Sequence, residues 1–391
     1  MEYVTAGESH GPSLIALVRG VPAGCALSSE EINKELVRRQ RGYGRGARMA
    51  IETDTARIIS GVRFGCTLGS PIALEINNND WAQWSAVMAQ EGTAPADLIR
   101  EHAPRPGHAD LVGALKNDTT DCRDILERSS ARETAARVAA GSVAKAVLKP
   151  FGVEIRSYVT RIGAIELPDE EITQVGALFS PELIESSRVR CPHEETSLAM
   201  QKAIDEAREA GVSLGGWFVV TVTGLVPGIG GFAEGRKRLT SLLGGAVLSI
   251  PAIKGVEFGL GFKAGCLPGT KVHDVISYST DAEGRIQPIR ATNSAGGLEG
   301  GMTNGETLII RAVMKPIPTM ASPLETIDLI THETVLASKE RSDVCAVPSA
   351  AVVAEAEVAM VLANAYLEKF GHDAMSDILQ AFEHYVARIT Q

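Results

Sequence analysis

Ser130-Ala-Arg-Glu-Thr-Ala-Ala-Arg-Val-Ala-Ala-Gly-Ser-Val-Ala-Lys-Ala-Val-Leu-Lys149-Pro150 is the stretch on which the architecture turns. It reads as a helix from Ala131 to Lys149, stopped by Pro150, which has no N–H to continue the ladder. Ser130 and Glu133 stand at capping-box spacing at its start. Its body (Ala135, Ala136, Ala139, Ala140, Gly141, Ala144, Ala146) is mostly small residues. Small side chains let a neighbouring sheet or helix approach closely, so this helix is expected to be deeply buried.

Around that helix, strands and other helices are mixed. Runs rich in β-branched residues predict strands at Ala56–Val62, Ile72–Ile76, Trp217–Thr223 and Thr307–Val313. Ser28 and Glu31 make a capping box, with Leu27 and Ile32 as a hydrophobic staple, for a helix running to about Arg39. Further helices are expected at Leu198–Ala210, ending at Gly211, and at Glu355–Phe370, ending at Gly371. The acidic, weakly patterned Glu166–Ser187 reads as a solvated insertion. Strict βαβ alternation is absent, and so are a flexible linker and a fixed-period repeat. The reading is a single α+β domain over residues 1–391.

Composition narrows the classes. With 391 residues and 45% hydrophobic side chains, a large core is affordable. A net charge of −10 disfavours nonspecific binding to nucleic acid or to an anionic membrane. Any bound anion must be caught by a local basic patch. No secretory signal is read at the N-terminus, and no stretch is read as approaching the roughly 18 apolar residues of a membrane span. The six cysteines are scattered without a C-x-x-C pair, which argues against zinc or a disulfide framework. Reduced, buried thiols in a cytoplasmic protein are expected, and no metal.

Four segments put reactive residues beside glycines. Thr5-Ala-Gly-Glu-Ser9-His10-Gly places a histidine in backbone that can come close to a ligand, although a lone histidine is often structural. Arg38-Arg39-Gln-Arg41-Gly-Tyr-Gly-Arg45-Gly-Ala-Arg48 holds five arginines and no acid. Arginine presents a fixed fork of donors matched to phosphate and carboxylate. A solvated basic loop is the plain alternative. The glycines favour a small anion gripped at close range, but they form neither a Rossmann fingerprint nor a Walker lysine.

Arg105-Pro-Gly-His108-Ala-Asp110 is followed by Arg128-Ser129-Ser130-Ala-Arg132. There a helix N-terminus would aim free N–H groups at an anion, though capping explains the serines equally well. Last come the glycine-rich Arg290–Gly305, the turn Lys315-Pro316-Ile317-Pro318-Thr319, and Arg341-Ser-Asp343. Turns alone could account for these; with the other three they look like walls of one site.

These segments, together with Gly255-Val-Glu-Phe-Gly259 and Gly296-Gly-Leu-Glu-Gly300-Gly-Met-Thr-Asn-Gly305, resemble the chorismate synthase family in order and from end to end of the chain. The resemblance implies a sandwich with long helices packed between β-sheets, assembled as a homotetramer. It implies a 1,4-anti elimination of phosphate from 5-enolpyruvylshikimate 3-phosphate, giving chorismate with no net redox change yet requiring reduced FMN. It places His10 near the leaving phosphate and His108 near N1 of the reduced flavin, with Asp343 and Ser9 moving a proton around flavin N5.

The implied FMN contacts are Arg128, Ser129, Ser130, Pro251, Ala252, Gly300, Lys315, Pro316, Ile317, Pro318, Thr319 and Arg341. Arg39, Arg45, Arg48, Arg132 and Arg341 would bind the substrate. Arg39 and Arg45 are also associated with NADPH, and the same arginines read equally as substrate ligands. Pro251 stands where the family commonly has Asn or Gln, so it could meet flavin only through its carbonyl or ring. Asn117, Leu239-Thr240 and His193 are other departures. Two rivals stay open: a flavin enzyme performing a net reduction with NADPH, and a phosphate-ligand binding protein without activity.

Overall fold

The computed structural model describes residues 1–46, 53–168, 179–280, 286–340 and 342–390. The chain opens on two strands that sequence alternation conceals. β1 (Glu2–Ala6) and β2 (Ser13–Arg19) pair antiparallel, with Val4 opposite Leu17. Leu14 to Val18 is apolar throughout, so the period of two is silent; only Leu14, Ala16 and Val18 are buried, while Ile15 and Leu17 face outward.

Ser28 then caps α1 (Ser29–Gln40), its hydroxyl accepting from the Glu31 N–H at 3.2 Å. β3 (Ala56–Ile58) and β4 (Ile72–Asn77) complete a four-stranded antiparallel sheet in the order β1-β2-β4-β3. The expected strand Ala56–Val62 ends early because Gly61 turns the chain at φ 82°, where a Cβ would strike the backbone of Pro71 and Ile72.

α2 (Asp110–Asn117) and α3 (Arg123–Ser129) lead to the small-residue helix. Its cap is half of what was expected. Ser130 accepts from the Arg132 N–H at 3.3 Å, but Glu133 turns away to Arg137 at 2.8 Å. The first turn, Ala131–Glu133, is 3₁₀, and α4 (Thr134–Leu148) follows it. Pro150 sits inside a closing 3₁₀ turn, Lys149–Phe151.

β5 (Glu154–Ile162), β6 (Ile165–Glu166), α5 (Glu194–Glu209), β7 (Gly216–Thr223), α6 (Leu239–Leu248), β8 (Ile253–Phe258) and β9 (Leu308–Met314) come next. They include a five-stranded antiparallel sheet in the order β8-β9-β7-β5-β6. Of the acidic Glu166–Ser187 segment, the described part contains a short helix, Pro181–Ser186. α7 (Val347–Phe370) and α8 (Met375–Ile389) close the chain. α7 begins eight residues before the expected Glu355. Pro348 lies in its first turn, where its missing N–H has no intrahelical partner to lose.

α4 packs on β2 and β4, α7 packs on β5 and β7, and the two helices pack on each other, so the pair lies between the two sheets. The closest approach is at Gly141, where a Cβ would stand 2.3 Å from the Ala356 Cβ and 2.5 Å from its Cα. Helix propensity alone favours alanine over glycine by about 1 kcal/mol. Backbone contact reverses the sign: Gly141→Ala is expected to lower stability by about 1–3 kcal/mol, read as a fall in the urea midpoint. A midpoint at or above the parent's would mean the helices can separate freely.

Two expectations need correcting. α7 does have the length and apolarity of a membrane span. It is a core helix, with Glu355 and Glu357 buried along it among polar partners. The six cysteines are unpaired as expected, but Cys66 and Cys266 are exposed rather than buried.

Candidate active site

Where the two sheets and the helix pair meet, the described residues enclose a cavity of about 700 Å³, within the range of small-molecule and cofactor sites. α7 and the turn opening α4 both begin at its wall, through Ala346, Ser349 and Ala350 on one side and Ser130 and Ala131 on the other. The positive ends of two helices therefore face the same space.

The basic wall is built from buried arginines. Arg39 donates to Asp54 at 3.1 Å, to the Thr134 hydroxyl at 3.0 Å and to the Ala131 carbonyl at 3.0 Å. Arg132 donates to Asn78 at 3.0 and 2.8 Å and to the other oxygen of Asp54. Arg45 pairs with Asp343 at 2.9 Å, and Asp343 also accepts from the Gly46 N–H at 2.6 Å. Burial, helped by the cations of Arg45 and Arg132 and opposed by Asp54, brings the Arg39 guanidinium down to about 10. A buried cation lowered in this way is one that an anion would relieve.

Each candidate histidine is held by a buried carboxylate. The His10 Nδ1 lies 2.8 Å from Glu127 Oε1, and its backbone N–H donates to Glu127 Oε2 at 2.8 Å. The ring stacks on Trp84, centroids 3.9 Å apart. The His108 Nδ1 lies 2.5 Å from Asp110 Oδ1. That contact requires the proton on Nδ1, so Arg105 Nη2, 3.1 Å from the same nitrogen, donates to Asp110 Oδ1 instead. In both pairs Nε2 is the nitrogen that can serve a ligand. Burial would raise the Asp110 carboxyl, but hydrogen bonds from His108 and Arg105 outweigh it and hold the group well below the usual carboxylate range. Glu127 is likewise lowered, against its burial, chiefly by His10.

The cavity brings together Ser9, His10, Arg39, Arg45, His108, Arg128, Ser129, Ser130, Arg132, Pro251, Ala252, Lys315, Ile317, Pro318, Thr319 and Asp343. Arg128 is tied to the histidine loop, donating to Thr5 O at 2.8 Å and Gly7 O at 3.2 Å. Ala252 adopts φ 69°, a left-handed conformation uncommon for alanine, and its carbonyl accepts from the Lys315 N–H at 2.9 Å. Burial, reinforced by Lys254, lowers the Lys315 ammonium. Lys315 donates to Gly107 O, and Thr319 accepts from Arg105 at 2.9 Å.

Pro316 is within the same turn but is not a wall residue. Gly300 is not one either. It turns the chain between Leu298–Glu299 and Met302–Thr303, and the rest of Arg290–Gly305 also stays out of the cavity wall. Arg48 and Arg341 lie outside the described residues. Sequence reasoning missed Asp54, Asn78 and Glu127, the groups that hold the arginines and His10. The one available signal was charge balance: arginines buried together require an acid among them.

Leu126, Ile250, Ile253, Met314 and Val353 add apolar side chains to the same wall. A cavity half apolar and half cationic suits a flat aromatic cofactor beside a polyanion, and the donor chemistry fits a flavin phosphate.

Comparison with known proteins agrees with the geometry. The family model described as chorismate synthase matches residues 1–367. The chain is 52% identical over 392 residues to a chorismate synthase of Moorella thermoacetica, covering 100% of both chains. It is 50% identical to that of Bacillus subtilis, covering 98% of each. A solved structure titled as the crystal structure of chorismate synthase superposes with a TM-score of 0.78 at 42% identity, covering 100% of this chain and 98% of the other. With the match running through both histidine loops and the arginine wall, the chain belongs to the chorismate synthase family.

Proposed function

We propose that this cavity carries out the 1,4-anti elimination of phosphate from 5-enolpyruvylshikimate 3-phosphate to give chorismate, with reduced FMN bound beside the substrate. Family membership makes the chain a carbon–oxygen lyase acting on phosphates, at the last step of the shikimate pathway. The observation that carries the assignment to this cavity is its pairing of two carboxylate-held histidines with a wall of buried arginines.

Reduced FMN, when bound, supplies the electron density that lets an unactivated C–H bond and a C–O bond break without net redox change. The chain's residues do the rest. Arg45 and Arg132, with Arg48 carried by the resemblance, would hold the substrate's anions, while Arg39 contributes charge from behind. His10, as an imidazolium on Glu127, would donate Nε2–H to the departing phosphate. His108 would steady charge at flavin N1, and Asp343 with Ser9 would move the proton around N5. The flavin's own contacts would be Arg128, Ser129, Ser130, Pro251, Ala252 and Lys315–Thr319; Gly300 and Arg341 rest on the resemblance alone. NADPH enters only as the flavin's reductant, at Arg39 and Arg45. The whole chain would act as one cytoplasmic domain in a homotetramer.

Anaerobic turnover with chemically reduced FMN tests this. Chorismate absorbance and phosphate release are expected to rise together without net consumption of reductant. Activity persisting after rigorous flavin removal, or reductant consumed one for one, would defeat the reading.

A further inference from the structure

Behind His10 lies a group of residues that none of the recognised motifs contains. Glu127 is 2% exposed and sits in the last turn of α3. One of its oxygens meets the His10 Nδ1 and the other takes the His10 backbone N–H, so the carboxylate grips both the ring and the main chain of a single residue. The Ser9 N–H donates to the Glu127 carbonyl at 2.9 Å, which fixes the preceding residue as well.

Arg123, one turn earlier, donates to Glu127 Oε1 at 3.0 Å and reaches Glu340 at 3.1 Å. Glu340 is a cavity residue on the segment that leads to Asp343. Arg123 also lies over the ring of Trp84, which stacks on the His10 ring. A bidentate hold of this kind exceeds what a structural histidine requires. A single acceptor would satisfy Nδ1, and the backbone N–H could be met by any carbonyl.

We propose that Glu127 is a positioning residue for the elimination: it fixes the Nδ1–H form of His10 and turns Nε2 to the substrate, while Arg123 ties that carboxylate to the Glu340 segment across the cavity. This rests on the assignment of His10 as the donor to phosphate. Glutamine at position 127 could still accept from Nδ1, but its NH₂ cannot accept the backbone N–H. The amide can therefore accept from the ring or from the main chain, but not from both, and the joint hold on His10 is lost.

The test is a double-mutant cycle under saturating reduced FMN with the substrate varied. Glu127→Gln is expected to lower kcat by at least about 10-fold and by no more than the ~10²–10⁴-fold that an acid–base group contributes, with KM changed by less than about 2-fold. Added to His10→Ala it should slow turnover no further, because its only route to the chemistry is through His10. Glu127→Asp, which keeps the charge, should recover part of the loss. A kcat equal to the parent's, or an equal further loss on top of His10→Ala, overturns the proposal.

Nitrogen NMR of the parent protein, with the His10 signal assigned by comparison with His10→Ala, gives a readout that needs no Glu127 variant. At a pH where the ring is neutral, the Nδ1–H tautomer should dominate, and a dominant Nε2–H tautomer refutes the idea. Should His10→Ala turn over at the parent rate, the donor assignment fails instead, and the tautomer measurement still decides what Glu127 does.

Discussion

His10→Ala and His108→Ala are each expected to lower kcat by about 10²–10⁴-fold while leaving the protein folded. The two losses should differ in kind. His10 lies on the side of Glu127 and Arg123, His108 on the side of Asp110, Arg105 and the Thr319 hydroxyl. Lys315–Thr319 is the turn assigned to the flavin, so removing His108 should weaken reduced-flavin binding and alter how the bound flavin's spectrum responds to pH. Removing His10 should leave that spectrum nearly unchanged. Each alanine leaves a buried carboxylate without one partner. Asp110 keeps Arg105 at 2.8 Å and Glu127 keeps Arg123 at 3.0 Å, which is why folding should survive. Stopped-flow measurement with preformed reduced FMN separates chemistry from flavin loading. Either variant, confirmed folded, turning over at the parent rate would remove that histidine from the mechanism.

Glu355→Ala is expected to destabilise the protein by about 3–5 kcal/mol, the range for breaking a buried ion pair from one side. Glu355 is fully buried on α7, yet Arg38 grips both its oxygens at 2.7 and 2.8 Å, Lys145 reaches it at 2.6 Å, and the Ser157 hydroxyl donates at 2.6 Å. Alanine would leave these cations facing a void between α1, α4 and β5.

The pH dependence has a definite sign. Burial raises the Glu355 carboxyl, but Arg38 first and Lys145 next outweigh it and hold the group well below the ordinary value. A depressed carboxyl stabilises the fold above its unfolded value of about 4.3 and loses that contribution as pH falls through the lower folded value. The urea midpoints of parent and variant should therefore be far apart at neutral pH and converge on acidification below about 4. A constant gap down to pH 2 would show that the loss comes from packing rather than charge.

Much of the site was legible because its chemistry is written in runs. Ser9-His10, Arg39, Arg45 and His108 stand beside or close to glycines that announce close backbone approach. What stayed hidden were the groups that hold them, two carboxylates and an amide. Asp54, Glu127 and Asn78 lie in segments with no glycine and no repeat, and only the fold brings them under the arginines and His10.

The fold divides in the same way. The small-residue face of α4 pointed to a buried helix, and Ser28 capped α1 as its spacing demanded. β2 escaped because it is apolar on both faces, and the start of α7 lies eight residues before the expected Glu355, with Pro348 in its first turn. The glycine-rich segment through Gly300 makes tight turns outside the cavity wall, and its part in the site rests on the resemblance.

The meeting of Gly141 with Ala356 joins parts of the chain roughly 200 residues apart, and long-range contacts of this kind form late. On the ribosome, α4 and the first sheet emerge well before α7 exists to cover them. A growing chain therefore carries an uncovered apolar face from the completion of α4 until α7 is made, a state prone to aggregation. Asp343, Ala346 and Ser349 arrive with α7, so the cavity cannot close around a ligand before that helix is made. Substrate and flavin can stabilise the finished protein by mass action, but they cannot rescue one still being made.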